Sequence, residues 1–323
     1  MNAILYAITV VIWGSTWLAI YFQVGEVPVS VSVMYRFALA AALMLPAMAL
    51  LGKLQKTTRR DQGFMVLQGA CLFSMNFLCF YSATQYISSG LVSVIFSLAT
   101  LFNAVNNRVF FRERLPVSVF IAAGFGLSGL SLLFWPELTD NTNTQVVRGA
   151  ALAALGTLFF SLGNMVSKRH SQKGLSPLTT NAYAMTYGAG LLVILLVIQR
   201  QPLVMSDSPV YWGALVYLSV FGSIVAFTTY LMLVARIGAN RAAYATVMFP
   251  MIALLLSWWF EGYRFNAAAV LGMALTVTGN IVISQPRWLS RSVQRIYRSR
   301  SLRQPNNLPA QMYMTQTKIP NGK

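Results

Sequence analysis

Polar side chains recur at helical spacing inside an apolar stretch, SSGLVSVIFSLATLFNAVNNRVFFRERL, at residues 88–115. Ser89, Ser93, Ser97, Thr100, Asn103 and Asn107 fall three or four apart, so they share one face of a helix otherwise covered by Leu, Val, Ile and Phe. What such a row offers is hydrogen bonding along a line. Ser89 to Asn107 spans roughly 27 Å at about 1.5 Å per residue, close to the hydrocarbon thickness of a bilayer. The stripe therefore lines either neighbouring helices or a water-filled path.

Arg36, in VSVMYRFALAAALML, is the one charge well inside a predicted span. Burying it costs at least ~2.5 kcal/mol, and no acidic residue lies at the same depth. Two readings stand: the guanidinium snorkels to the outer interface, roughly 9 Å away by helix rise, or it meets an anionic or carboxylate group of a solute in a cavity. Trp13 and Trp17 lie four apart on the first span with Thr9 and Thr16 beside them. Trp17 suits an interface anchor, whereas Trp13, near mid-span, suits either the wall of a cavity for an amphipathic solute or core packing. Thr157, Ser161 and Asn164 share a face of a later span, and Asn76, Asn181 and Tyr183 add further intramembrane polar groups. Each alone serves as helix glue worth about 0.6 kcal/mol, and it is their number that points to a wet path. Pro250 either breaks its span and frees the carbonyl of Thr246 toward a cavity or makes a packing kink alone, with Tyr244 on the same segment.

Other chemistries are excluded by what surrounds their signals. Gly124-Phe-Gly126-Leu-Ser-Gly129 satisfies GxGxxG but lies in an apolar span with no preceding strand, so it reads as helix packing rather than a dinucleotide site. The only histidine, His170, is expected in a basic loop, with no Cys or acid nearby in sequence to complete a hydrolytic set. Cys71 and Cys79 lie eight apart on one span, about 12 Å along a helix, too far for a disulfide and without a metal-ligand partner. No cofactor and no metal are expected, and the chain is not read as an enzyme.

The positioning elements follow from composition. The 323 residues are 56% hydrophobic and only 10% charged, against about 25% charged in soluble domains, so the fold class is an all-α integral membrane protein. Ten apolar segments stand at 3–22, 30–51, 63–81, 89–111, 117–135, 149–168, 178–199, 209–232, 241–260 and 267–284. The first lacks a basic n-region and is long enough to span, so it is a retained helix rather than a cleaved signal. Placing both termini in the cytoplasm puts 20 of the 24 Lys and Arg inside, as the positive-inside rule requires. The net charge of +17 is thereby read as topology signal and lipid contact, not nucleic-acid binding.

The loop 136–148 separates two blocks of five spans, 1–135 and 149–285. Glu113 is followed eleven residues later by Gly124, and Glu261 by Gly272 at the same interval. An odd number of spans per block makes the second copy upside down relative to the first, so ten transmembrane helices form two inverted five-helix repeats, a transporter signature. The basic tail 286–323 begins with Arg287, Arg291, Arg295 and Arg298 among Trp288, Ile296 and Tyr297, which suits an interfacial helix on anionic lipid.

On WGSTWLAI (Trp13 to Ile20), YRFALAAALML (Tyr35 to Leu45), RVFFRERL and VMFPMIALLLSWWFEGYRF (Val247 to Phe265), the chain resembles EamA-type members of the drug/metabolite transporter superfamily. Thr100 stands where that pattern usually has a first-block proline matching Pro250, so equal kinks in both halves are not expected. The resemblance implies a secondary transporter of the bacterial inner membrane, with helices 1 to 4 and 6 to 9 around a central cavity and helices 5 and 10 outside. It implies alternating access and export of small solutes such as amino acids, metabolites or drugs. The competing classes are a non-transporting sensor or scaffold, in which the polar stripes are all glue, and an intramembrane enzyme, which lacks an acid–base set. Oligomeric state is open on sequence grounds.

Overall fold

The structure is a computed structural model and describes residues 2–115, 117–133, 144–237, 244–264 and 266–284. Regular structure among the described residues is helical throughout. Among the described residues, seven helices are long and apolar enough to cross a membrane: α1 (Ile4–Tyr21), α2 (Val29–Leu50), α3 (Arg59–Ala83), α4 (Ser89–Phe111), α6 (Thr144–Gln172), α7 (Pro177–Gln199) and α8 (Pro209–Val234). Three shorter apolar helices complete the set: α5 (Val117–Leu133), α9 (Tyr244–Phe260) and α10 (Ala267–Ser284). Of the expected linker 136–148, residues 144–148 already belong to α6 and the rest lies outside the described residues, as does the basic tail 286–323.

Local chemistry sets the ends of these helices. Thr58 caps α3, accepting from the Asp61 amide at 3.2 Å while its hydroxyl donates to the Asp61 carboxylate at 2.6 Å. Ser88 caps α4, and the Glu261 carboxylate reaches across from the end of α9 to the Ser89 amide at 2.9 Å and to its hydroxyl. That places an anion on the positive end of the helix dipole. Helices α4 and α7 end in left-handed residues, Arg112 and Arg200.

Two helices contain π-helical segments, Cys71–Met75 in α3 and Leu218–Val225 in α8. Each lies against a facing helix. Ser74 donates to the Gly188 carbonyl of α7 at 3.0 Å, and Ser223 accepts from Arg36 of α2 at 3.0 Å.

The expected continuous polar face along α4 is corrected. The helix breaks at Leu98, whose amide bonds three residues back to Ile95. The cause is local: the Ser93 and Ser97 hydroxyls donate back to the Gly90 and Val94 carbonyls at 2.6 Å each, competing with the helix ladder. By contrast α9 runs through the buried Pro250 without a break. The break thus falls in the helix that lacks proline.

Close approach of α5 to α10 and to Leu98 of α4 accounts for two glycines of the run. A Cβ on Gly129 would lie 2.6 Å from the Gly272 carbonyl oxygen, and one on Gly126 would lie 2.9 Å from Leu98 Cδ2, whereas one on Gly124 would meet nothing within 4 Å. Two of the three glycines are therefore contact residues. Cys71 and Cys79 are free thiols.

Candidate functional site

Helix periodicity puts Trp13 and Trp17 one turn apart on the inward face of α1, and both are buried. Trp13 meets Phe227 and Tyr230 with ring centroids at 4.9 Å and Phe249 at 5.4 Å; Trp17 meets Phe80 at 5.3 Å and Phe96 at 5.6 Å. These rings except Tyr230, with Phe77 and Phe160, wall a central chamber to which α1, α2, α3, α4, α6, α8 and α9 contribute. Helix α7, expected among the lining helices, contributes no side chain to it. Trp17 is thus a chamber wall and not the interface anchor that its position near a helix end suggested.

Arg36 enters the chamber from α2 and is only 1% exposed, which overturns the snorkelling reading. Its Nε donates to Ser223 Oγ at 3.0 Å, its Nη1 donates to Tyr81 Oη at 3.4 Å, and its guanidinium lies over the Phe77 ring at 4.3 Å. A hydrogen bond to a charged group contributes about 1.5–3 kcal/mol and a desolvated cation–π contact about 2. Together they offset an insertion penalty of about 2.5–3.5 kcal/mol, so the side chain has no need to escape. Tyr81 in turn donates to Gln23 Oε1 at 2.8 Å.

The π segment of α8 joins the two halves of the site. Trp13 Nε1 donates to the Gly222 carbonyl at 3.2 Å, and Arg36 uses the next residue, Ser223. A Cβ on Gly222 would lie 2.8 Å from Thr16 Cγ2 and 3.3 Å from Arg36 Nη2, so only glycine lets all three meet. Asn76 also lines the chamber, fully buried, and neither atom of its amide has a hydrogen-bond partner among the described residues. The chamber has a volume of about 30 Å³. That holds about one water, far below the roughly 300–1,000 Å³ of a small-molecule site. The space is small because the rings pack directly on one another, Phe96 and Phe160 at 4.7 Å between centroids and Trp17 and Phe80 at 5.3 Å.

The remaining candidate residues lie elsewhere. Ser93 and Ser97 are buried in α4 outside the chamber, and Thr100 Oγ1 donates to the Ser97 carbonyl at 3.3 Å. Asn103 accepts from Asn164 Nδ2 at 3.4 Å, in a polar seam between α4 and α6 that also holds Asn106 to Ser161 at 2.8 Å and Lys168 to Asn107 at 2.7 Å. Tyr183 is half-buried on α7 and stacks on Tyr187 at 6.4 Å. Pro250 follows the chamber residue Phe249 on α9, and the Tyr244 side chain lies outside the described residues. The structure thus brings Trp13, Trp17, Arg36 and Asn76 together, and separates them from the stripe.

Missing from the sequence-based set are Tyr81 and Ser223, the partners of Arg36, and the phenylalanines of the walls. A Phe in an apolar span carries no signal that separates cavity from core. The run Phe73, Phe77, Phe80 and Tyr81 at helical spacing was the available hint.

Comparison with known proteins agrees along nearly the whole chain. The sequence pattern of the EamA-like transporter family matches residues 1–135 and 147–285. The uncharacterized transporter YyaM of Bacillus subtilis is 24% identical over 275 residues, covering 84% of this chain and 89% of that protein. The uncharacterized inner membrane transporter YedA of Escherichia coli K12 is 24% identical over 281 residues, covering 86% and 89%. Protein PagO of Salmonella typhimurium is 23% identical over 280 residues, covering 86% and 90%. One solved crystal structure superposes with a TM-score of 0.63 at 19% identity, over 87% of this chain and 96% of the other, a likeness of fold.

Proposed function

The chain belongs to the EamA-like transporter family and is a multi-pass membrane transporter, and from that premise we propose that it works by alternating access around the Trp13–Arg36 chamber. Its substrate is a small solute with an anionic group and an apolar body, in the range of amino acids, related metabolites or drugs. The observation that carries this reading is the meeting of Arg36 and Trp13 on consecutive residues of one π segment, in a chamber walled by rings and holding an unpartnered Asn76 amide. π-bulges are frequent at functional sites because they offset the hydrogen-bond ladder. A carboxylate entering the chamber would compete with Ser223 and Tyr81 for the guanidinium, while its apolar body lies against the phenylalanines.

Ten transmembrane helices in two inverted five-helix repeats, 1–135 and 149–285, fit the pairing of helices. Helix α2 lies against the π segment of α8 as α7 lies against that of α3, and α1 packs on α9 as α6 packs on α4. The pairs α2–α7, α4–α9 and α5–α10 are each their own counterpart. Such a pseudo-two-fold arrangement has two related packings that exchange openings. With both termini in the cytoplasm of a bacterial inner membrane, the direction proposed is export.

Reconstituted protein should exchange labelled carboxylate solutes across liposomes, with Arg36→Ala reducing that exchange at least tenfold and cation flux less. Equal, low flux for every solute, or equal loss of anion and cation flux in Arg36→Ala, would remove Arg36 from solute recognition.

A further inference from the structure

A groove of about 470 Å³ opens on the side of the bundle between the first half of α3, the end of α4 and the second half of α6. It shares no lining residue with the central chamber. Leu67, Cys71, Phe110, Leu162 and Val166 line its length, and Arg169 is the charged residue of its lining. Leu67 and Phe110 are 47% and 57% exposed, so the mouth lies on the lateral surface.

We propose that this groove holds an acyl chain of an anionic glycerophospholipid whose phosphate sits on Arg169. Volume permits it, since the groove falls within the range of small-molecule sites, and in a membrane protein the medium outside a lateral apolar mouth is acyl chain. Direction fits as well. From Arg169 the lining steps through Val166 to Leu162, about 10 Å deeper along α6 at helix rise.

Charge selects the headgroup. The surrounding helix ends carry Arg59, Arg60, Arg108, Arg112, Arg114, Lys168, Arg169 and Lys173 against two carboxylates, Asp61 and Glu113. Such a basic rim attracts anionic lipid, and it would repel the same rim on a second copy of the chain. Arg169 is braced for the task. One Nη donates to Asp61 Oδ1 at 2.9 Å, the other lies 3.2 Å from His170 Nδ1, and the guanidinium stacks over Phe64 at 3.8 Å. Those two contacts leave further N–H donors of the five for a phosphate oxygen.

The test is native mass spectrometry of the full chain in mild detergent with added dioleoyl phosphatidylglycerol or phosphatidylcholine. Wild type should retain one phosphatidylglycerol at least fivefold over phosphatidylcholine. Leu162→Trp, which fills the groove, should lower retention of both lipids more than fivefold with melting temperature and gel-filtration profile unchanged. Arg169→Lys, which keeps the charge beside Asp61 but loses the fork, should cut the preference while retaining the chain. Equal retention of the two lipids by wild type overturns the proposal. So does undiminished retention in Leu162→Trp, which would move the lipid to another surface, or a changed oligomeric mass in that variant, which would make the groove an interface between copies.

Discussion

Arg36 and Ser223 are 187 residues apart in the chain, and the Arg36 Nε donates to the Ser223 hydroxyl across 3.0 Å. The bond ties α2 to the π segment of α8 and fixes a buried cation beside the carbonyl that Trp13 uses. In the proposed cycle a solute carboxylate takes the place of this link when the chamber opens.

Removing the acceptor separates support from binding. Ser223→Ala leaves the buried Nε unpaired and should cost about 1–3 kcal/mol, read as a lower melting temperature in detergent. Carboxylate exchange in liposomes should survive in that variant, since the guanidinium remains, and be lost in Arg36→Ala. Loss of exchange in both with equal loss of folded protein would make Arg36 a structural tie.

The glycines of α5 offer a matched pair. Gly129→Val drives a branched side chain into the Gly272 carbonyl and should abolish folded yield, whereas Gly124→Val faces open space and should leave it unchanged. Comparable yields for the two variants would remove the close α5–α10 contact from the account.

In the α4–α6 seam, burial ranks the contacts. The Lys168–Glu113 pair is 27% and 54% exposed, and an exposed pair contributes about 0–1 kcal/mol, so Glu113→Gln should leave stability nearly unchanged. Asn106 is buried, and Asn106→Ala strands the Ser161 hydroxyl, a loss of about 1–3 kcal/mol visible in thermal unfolding. The reverse order would indicate that charge, not burial, holds the seam.

Topology is checked by reporters fused after Lys323 and inserted near Asn141, which should read cytoplasm and exterior respectively. The same side for both would defeat the inverted repeat.

Coupling follows from where the acids lie. Among the described residues, Glu26, Asp61, Glu113, Asp207 and Glu261 sit in loops or a first helical turn, and Glu261 is bound to the start of α4. Proton-driven carriers commonly use an ionisable group within the membrane. Flux from liposomes should therefore follow the solute gradient and change little with an imposed pH gradient. Strong acceleration by the gradient, lost in Glu113→Gln or Glu261→Gln, would assign proton coupling to one of those carboxylates.

What the sequence determined by itself is whatever depends on composition and period. Apolar runs of spanning length dictate helices, the basic clusters mark one end of them, and GxGxxG in an apolar span dictates packing, as Gly126 and Gly129 bear out. Arg36 and Trp13 were legible as unusual because a mid-span charge and a mid-span indole are costly or rare in lipid. What only the tertiary structure decided is which polar groups meet. The stripe of α4 was expected to be one face, but the Ser93 and Ser97 hydroxyls turn back on their own helix, and the break at Leu98 separates them from the seam with α6. The partners of Arg36 come from α3 and α8, and the acceptor of Trp13 from α8; a local pattern reports the face of a helix, not the neighbour that the fold brings to it.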